Sequence, residues 1–178
     1  MKTGHLIHFS DARCMTAVAD DSIDLVVTSP PYPMIEMWDD LFQKMDSAVK
    51  TCMTRQDGPG MFEVMHQVLD PVWQECFRVL KPGGFVCINI GDATRTIDSH
   101  FALYTNHARI LSAAREIGFT SLPCIIWRKQ TNAPTKFMGS GMLPAGAYVT
   151  LEHEYILILR KHGKREFKSA EEKQRRRE

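Results

Sequence analysis

The sequence predicts an α/β protein built on a largely parallel sheet. Two observations point there. Apolar, β-branched runs at Ile23–Thr28 and at 85–90 have the length and composition of buried strands. Between them, apolar residues recur at three- and four-residue spacing from Phe62 to Leu80, the period of an amphipathic helix. A strand, a helix and a second strand in that order favour a parallel pair with the helix as crossover.

Element by element, residues 5–9 (HLIHF) read as a short strand ending at Ser10-Asp11, and residues 12–19 as a short helix. The run 23–28 follows and stops at Ser29-Pro30-Pro31-Tyr32-Pro33, where three prolines in four positions can continue neither strand nor helix. Residues 34–60 are Met-rich and mixed, with a helix expected in 39–52 and a break at Gly58-Pro59-Gly60. The long helix over 62–80 tolerates Pro71. Lys81-Pro82-Gly83-Gly84 reads as a turn, 85–90 as a strand closed by Gly91-Asp92, and 101–117 as a helix stopped by Gly118. A third core strand is expected over 121–127 and a further one over 153–159. Residues 128–150 read as a long loop, of the kind that is more often functional or disordered than structural.

With 178 residues the chain has the size of one domain. Its 44% hydrophobic content supports a core and excludes disorder throughout. The 22 basic and 21 acidic residues nearly cancel, so any nucleic-acid contact must be local. The first residues lack the apolar stretch of a signal peptide and no apolar run is long enough to span a bilayer, which together predict a cytoplasmic protein with no membrane partner. Five scattered cysteines, Cys14, Cys52, Cys76, Cys87 and Cys124, form neither a C-x-x-C nor a disulfide framework. No metal site is expected. His5 and His8 fall on opposite faces of the expected strand, and no ligand set has zinc-like spacing.

The segment from Thr28 to Tyr32 is the sharpest chemical feature. In open α/β sheets, ligands bind beyond the carboxyl ends of the strands. Adjacent prolines stiffen that end and remove two donors, leaving carbonyl acceptors, the Ser29 hydroxyl and the face of Tyr32. Such a rim suits a planar group carrying an amino substituent. Taken alone, a pair of prolines more commonly marks a surface turn.

Thr28-Ser29-Pro30-Pro31-Tyr32 after an apolar strand resembles the catalytic motif of amino-methylating DNA methyltransferases, in the permuted branch that places this motif first. Serine in first place is similar to the cytosine-N4 group, where adenine-N6 enzymes more often carry Asp or Asn. Ser10-Asp11-Ala12 with Asp20–Leu25, Leu80–Phe85, Glu116 through Trp127, and Glu152–Lys161 resemble successive steps of the same family, so the likeness runs over residues 5–162. It implies a partial Rossmann-like sheet, mostly parallel, with flanking helices. Residues 1–162 form the catalytic-motif half of a methyltransferase domain, and 163–178 a charged tail or linker.

The resemblance further implies methyl transfer from S-adenosyl-L-methionine to the exocyclic amine of a base flipped out of double-stranded DNA. Ser29, Pro30, Pro31 and Tyr32 would be the catalytic residues. The Ser29 hydroxyl and the Pro30 carbonyl hold the amine, and Tyr32 stacks on the ring. No covalent intermediate and no cysteine nucleophile are implied. Asp11 and Thr28 are the candidate cofactor contacts, with an N-cap as the alternative for Asp11. Arg128, Lys129 and Lys136 are the candidate DNA contacts, with a solvated loop as the alternative.

The family's second half carries an apolar strand leading into a glycine-rich cofactor loop, followed by a target-recognition region. Neither is found in these 178 residues. Phe137-Met138-Gly139-Ser140-Gly141 matches the glycine pattern literally, yet no apolar strand precedes it, so it is not read as that loop. The expectation is therefore an N-terminal half completed by a second chain or a missing C-terminal half. The function expected is site-specific cytosine-N4 methylation, in a restriction–modification setting. Adenine-N6 methylation and a non-catalytic half that binds DNA or a partner are the alternatives. Asp92 reads as either a pocket residue or a cap for the next helix, and His153 and Glu154 as a buried pair or an interface feature. The basic tail, Lys173 and Arg175–Arg177, would touch phosphates or serve as a solvated linker.

Overall fold

The computed structural model describes residues 3–129, 151–164 and 169–175. The loop predicted over 128–150 lies outside the described residues from position 130 onward, and with it Lys136 and residues 137–141.

The first expected strand and helix, at 5–9 and 12–19, do not form. Residues 3–12 carry no strand and are exposed throughout, with Leu6, Ile7 and Phe9 all facing solvent. An apolar run without a partner strand has nothing to pair with, and period alone does not supply one.

Strand β1 (Ile23–Thr28) leads to a single 3-10 turn at Glu36–Trp38, then helices α1 (Asp39–Met45) and α2 (Ser47–Thr54). Helix α3 runs from Gly58 to Val79. The Gly58-Pro59-Gly60 segment opens this helix rather than breaking the chain. Asp57 caps it by accepting the Gly60 amide at 2.9 Å, and a proline in the first turn forfeits an amide that has no intrahelical partner anyway. Pro71 is carried inside the helix, whose buried stripe of Met61, Met65, Val68, Leu69, Trp73, Cys76 and Val79 holds it on the sheet.

Strand β2 (Leu80–Ile90) absorbs the expected turn at 81–84 as an irregularity in its pairing with β1. A hairpin not foreseen in the sequence follows, β3 (Ala93–Ile97) and β4 (His100–Tyr104), turning on Asp98 and Ser99 in the left-handed region. It takes the first residues of the expected helix 101–117, so α4 spans Asn106–Ile117 and ends at Gly118 with φ +113°. The strand expected over 121–127 is split by Pro123 into β5 (Phe119–Ser121) and β6 (Ile125–Arg128), because proline cannot donate to the ladder, and β6 is exposed rather than part of the core. Strand β7 (His153–Lys161) and the short helix α5 (Ala170–Arg175) complete the described chain. No described helix is long and apolar enough to cross a membrane.

The main sheet has the order β1-β2-β7-β5, with β6 also on β7. β1 and β2 are parallel, while β7 is antiparallel to β2, β5 and β6. Four strands thus run one way, as the parallel expectation requires, but the reversed β7 sits between them and makes every other pairing antiparallel.

The two faces of this sheet differ. Val86, Ile88 and Ile90 of β2 and Leu157 and Leu159 of β7 are buried against α3 and α4. On the opposite face Leu25 and Val27 of β1 are 53% and 73% exposed, and their partners Phe85 and Cys87 are half-buried. Among the described residues the β1 run, expected to be fully buried, is an edge strand covered on one face only. This asymmetry sets a measurable contrast. Replacing Ile88 by Ala should cost about 2–5 kcal/mol of stability in urea denaturation. Val27→Thr should change it by less than about 0.5 kcal/mol, as at an ordinary surface position.

Candidate active site

Parallel pairing places the carboxyl ends of β1 and β2 side by side, with Thr28 opposite Ile88. Reversal of β7 brings its first residues to the same end, where Tyr155 pairs with Ile90. The Ser29–Tyr32 segment, Asn89, Gly91 and Glu154 therefore converge on one edge.

Their hydrogen bonds form a chain. The Ser29 hydroxyl donates to the Tyr32 phenol oxygen at 3.3 Å, and the phenol donates to Glu154 Oε2 at 3.0 Å. The Asn89 amide donates to the same phenol oxygen and to Glu154 Oε2, at 2.7 Å each. Lys129 Nζ bonds the other oxygen, Glu154 Oε1, and lies 4.8 Å from the centre of the Trp127 ring. The Tyr32 ring packs against Gly91, where a Cβ would come to 3.2 Å from the ring and from the Glu154 side chain, so a larger residue there would have to push one of them aside by a few tenths of an ångström. Burial pushes the Tyr32 phenol above its ordinary pKa, with a further rise from the charge and hydrogen bond of Glu154, against bonds from Ser29 and Asn89. Glu154 is itself desolvated, which would raise it, but the bonds from Lys129, Asn89 and Tyr32 outweigh that and hold it below the usual carboxylate range.

A second, fully buried set of groups fixes the segment from behind. Asn106, at the first position of α4, donates to the carbonyls of Pro33 at 3.0 Å and Gly91 at 2.9 Å, so one amide ties the exit of the proline segment to the end of β2. Its carbonyl oxygen meets His66 Nε2 at 3.0 Å. Because the Asn106 amide is spent on two carbonyls, His66 must donate from Nε2, and its Nδ1 is left without a partner among the described residues. Immediately after the prolines, Met34 is buried with φ +68°, a conformation rare for a side chain of that size, and its amide meets the Met65 sulfur at 3.4 Å.

The remaining predicted residues fall as follows. Ser29 is exposed at the rim, with Pro30, Pro31 and Tyr32 half-buried behind it and Thr28 ending β1. Asp11 lies in an exposed turn, where Arg13 occupies both carboxylate oxygens through its amide and guanidinium. Those bonds hold Asp11 below the usual carboxylate range. Asp11 is thus not gathered into the Ser29–Glu154 cluster. Arg128 is 86% exposed with a loose 3.8 Å pair to Glu152, whereas Lys129 is engaged by Glu154. Asp92 accepts the backbone and ring Nδ1 of His107 in the first turn of α4, the capping alternative of the two, while His107 stacks on Tyr155 at 3.9 Å. Among the described residues no group of three or more His, Cys, Asp or Glu is placed to hold a metal.

Glu154, read in the sequence only as half of a pair with His153 or an interface feature, Asn89 and Asn106 are the residues of this cluster that sequence reasoning did not assign to it. A polar residue inside an apolar run, as in FVCINI and HEYILIL, is the one signal for the first two. Asn106 gave none.

Comparison with known proteins bears on what such an edge does. A family model described as DNA methylase, of the N6/N4 methyltransferase group, matches residues 23–178. A type II methyltransferase of Methanothermobacter thermautotrophicus, M.MthZI, is 55% identical over 179 residues, covering 100% of this chain and 50% of that protein. M.MjaI of Methanocaldococcus jannaschii, also a type II methyltransferase, is 50% identical over 177 residues and covers 93% and 58%. A Thermus thermophilus protein described as a DNA modification methylase, crystallised with S-adenosyl-L-methionine, superposes with TM-score 0.66 at 33% identity, covering 90% of this chain and 57% of that one. The chain thus spans about half the length of the curated relatives it matches.

The buried histidine behind this edge makes stability depend on pH. Burial lowers His66 from the ordinary 6.5 to about 4, with Asn106 and Glu63 opposing and Arg109 adding to the effect. Between those values the unfolded chain binds the proton and the folded chain does not, so stability is complete above pH 6.5 and is lost as the pH falls toward 4. The loss should reach about 3 kcal/mol in urea denaturation at stepped pH, from about 1.4 kcal/mol per pKa unit. His66→Gln should flatten that part of the profile.

Proposed function

This chain belongs to the DNA methylase family of N6- and N4-methyltransferases, and on that premise we propose that it is the catalytic-motif half of a site-specific cytosine-N4 DNA methyltransferase. The observation that carries the reading is the rim itself. An exposed serine hydroxyl and the Pro30 carbonyl stand at the carboxyl end of β1, beside a tyrosine ring packed against Gly91. Serine rather than an acidic or amide residue in first place supports cytosine over adenine.

An exocyclic amine is a weak nucleophile because its lone pair is delocalised into the ring. Two acceptors on its protons draw the nitrogen toward a pyramidal shape and aim the lone pair away from the ring plane. Ser29 and Pro30 supply those acceptors at fixed positions, so the work is orientation and electrostatic preorganisation. Tyr32 supplies a stacking surface for a base taken out of the duplex. When bound, S-adenosyl-L-methionine would supply an electrophilic methyl group on a sulfonium. In this chain Asp11 and Thr28 are the proposed contacts to it, with Asp11 exchanging its bonds to Arg13 for the ligand. The described residues include no glycine-rich cradle for the rest of that molecule, so they fit the amine better than the cofactor.

The open edge of β1 and the bare face around Leu25 and Val27 support completion by further polypeptide, the part of the relatives that this chain does not match. Double-stranded DNA is the proposed substrate, with Arg128, Lys129 and Lys136 as contacts, and restriction–modification the proposed setting.

Tritium transfer from S-adenosyl-L-methionine to duplex DNA, with the unmatched part of the Methanothermobacter relative added as a separate polypeptide, tests this. Nucleoside mass spectrometry should find N4-methyldeoxycytidine. N6-methyldeoxyadenosine would overturn the choice of base. Ser29→Ala should lower transfer by roughly 100-fold or more, on the scale of losing a preorganised contact to the reacting group. Its thermal melting should match the parent chain.

A further inference from the structure

Ser29 is fixed as an acceptor toward a ligand when its own proton is committed elsewhere. A hydroxyl facing an amino group with its hydrogen would meet donor with donor. The direction of the hydrogen-bond chain behind it therefore matters as much as its position, and that direction is set at the far end. Glu154 as a carboxylate can only accept. It takes the single phenol proton of Tyr32, a charge-assisted bond that outcompetes a bond to a neutral hydroxyl. The phenol oxygen, its proton spent, is left to accept, and it does so from Asn89 and from Ser29. Asn89 cannot turn over, because that would bring its carbonyl oxygen against the carboxylate it now donates to at 2.7 Å.

We propose that Glu154 is a positioning residue that fixes the donor–acceptor polarity of Ser29, turning the serine lone pairs toward the substrate and thereby selecting an amino group over a carbonyl on the base. This rests on the reading of Ser29 as the acceptor for the amine. Two base pairs of ligands isolate the effect. Deoxycytidine and deoxyuridine differ in an amino against a carbonyl group on the ring, as do deoxyadenosine and deoxyinosine. Lys129 is not required for the polarity. It bonds the other carboxylate oxygen and its side chain is 44% exposed, so it can swing into solvent.

The experiment compares binding of these four nucleosides to the 178-residue chain by saturation-transfer NMR. One neutral hydrogen bond made or mismatched corresponds to roughly a two- to tenfold preference. The parent chain should favour the amino member of at least one pair by that factor. Glu154→Gln keeps a carbonyl acceptor for the phenol and should retain the preference. Glu154→Leu fills similar volume without an acceptor, which frees the phenol proton to turn onto Ser29, and should lose it. A folded Glu154→Leu chain that keeps the preference overturns the inference, since it would show Glu154 to be mere packing. Should that variant fail to fold, Tyr32→Phe cuts the same chain while keeping the stacking ring, and retention of the preference there overturns the inference equally. Equal or absent binding of both members of both pairs by the parent chain overturns the reading of the site, and this inference with it.

Discussion

The parallel pairing of β1 with β2 decides where the chemistry of this molecule can sit. It sets two carboxyl ends next to each other, so that the proline segment leaving β1 runs over Gly91 at the end of β2. The reversed β7 adds an amino end to that edge, and with it Glu154. Three stretches meet there, 57 and 122 residues apart along the chain at the Tyr32–Asn89 and Tyr32–Glu154 bonds. An antiparallel β1 would carry Ser29 to the opposite end of the sheet, away from both partners.

Holding that edge requires polar groups where the core would otherwise be apolar. Asn106 and His66 are both wholly buried beneath the site. The arrangement leaves one ring nitrogen of His66 without a partner among the described residues. An apolar pair would avoid that desolvation, but it could not grip the Pro33 and Gly91 carbonyls, which would then be buried unsatisfied. The left-handed backbone of Met34 is a second departure from the local optimum at the same place. Both costs fall on the residues that fix the proline segment, which is where preorganisation needs them.

Much of this was legible in the sequence and some was not, for identifiable reasons. The β1 and β2 runs, the α3 stripe and the Gly118 stop are local signals, and the structure follows them. The hairpin at Ala93–Tyr104 was hidden because Asp98-Ser99 adopts left-handed turn conformations without glycine, and Phe101, Ala102 and Leu103 also fit a helical period. The strand expected at 5–9 has the right composition and no neighbour. Of the site, Ser29 to Tyr32 announced themselves through the prolines, a backbone signal. Glu154 could be seen only as an acid out of place in an apolar run, since its meaning depends on a register over 120 residues long.

The same logic explains why the cluster holds together on a sheet that is covered on one side only. Leu25 and Val27 are open to water, and β1 has no outer neighbour among the described strands. A serine at the end of such an edge would ordinarily sample many orientations. Here its proton is bound into a chain that ends on a carboxylate shared by Asn89 and Lys129. Every link behind Ser29 lies within this chain, on β2, β7 and the turn after β1. The position of the Ser29 hydroxyl is therefore set by bonds that need no neighbour on the open side of β1.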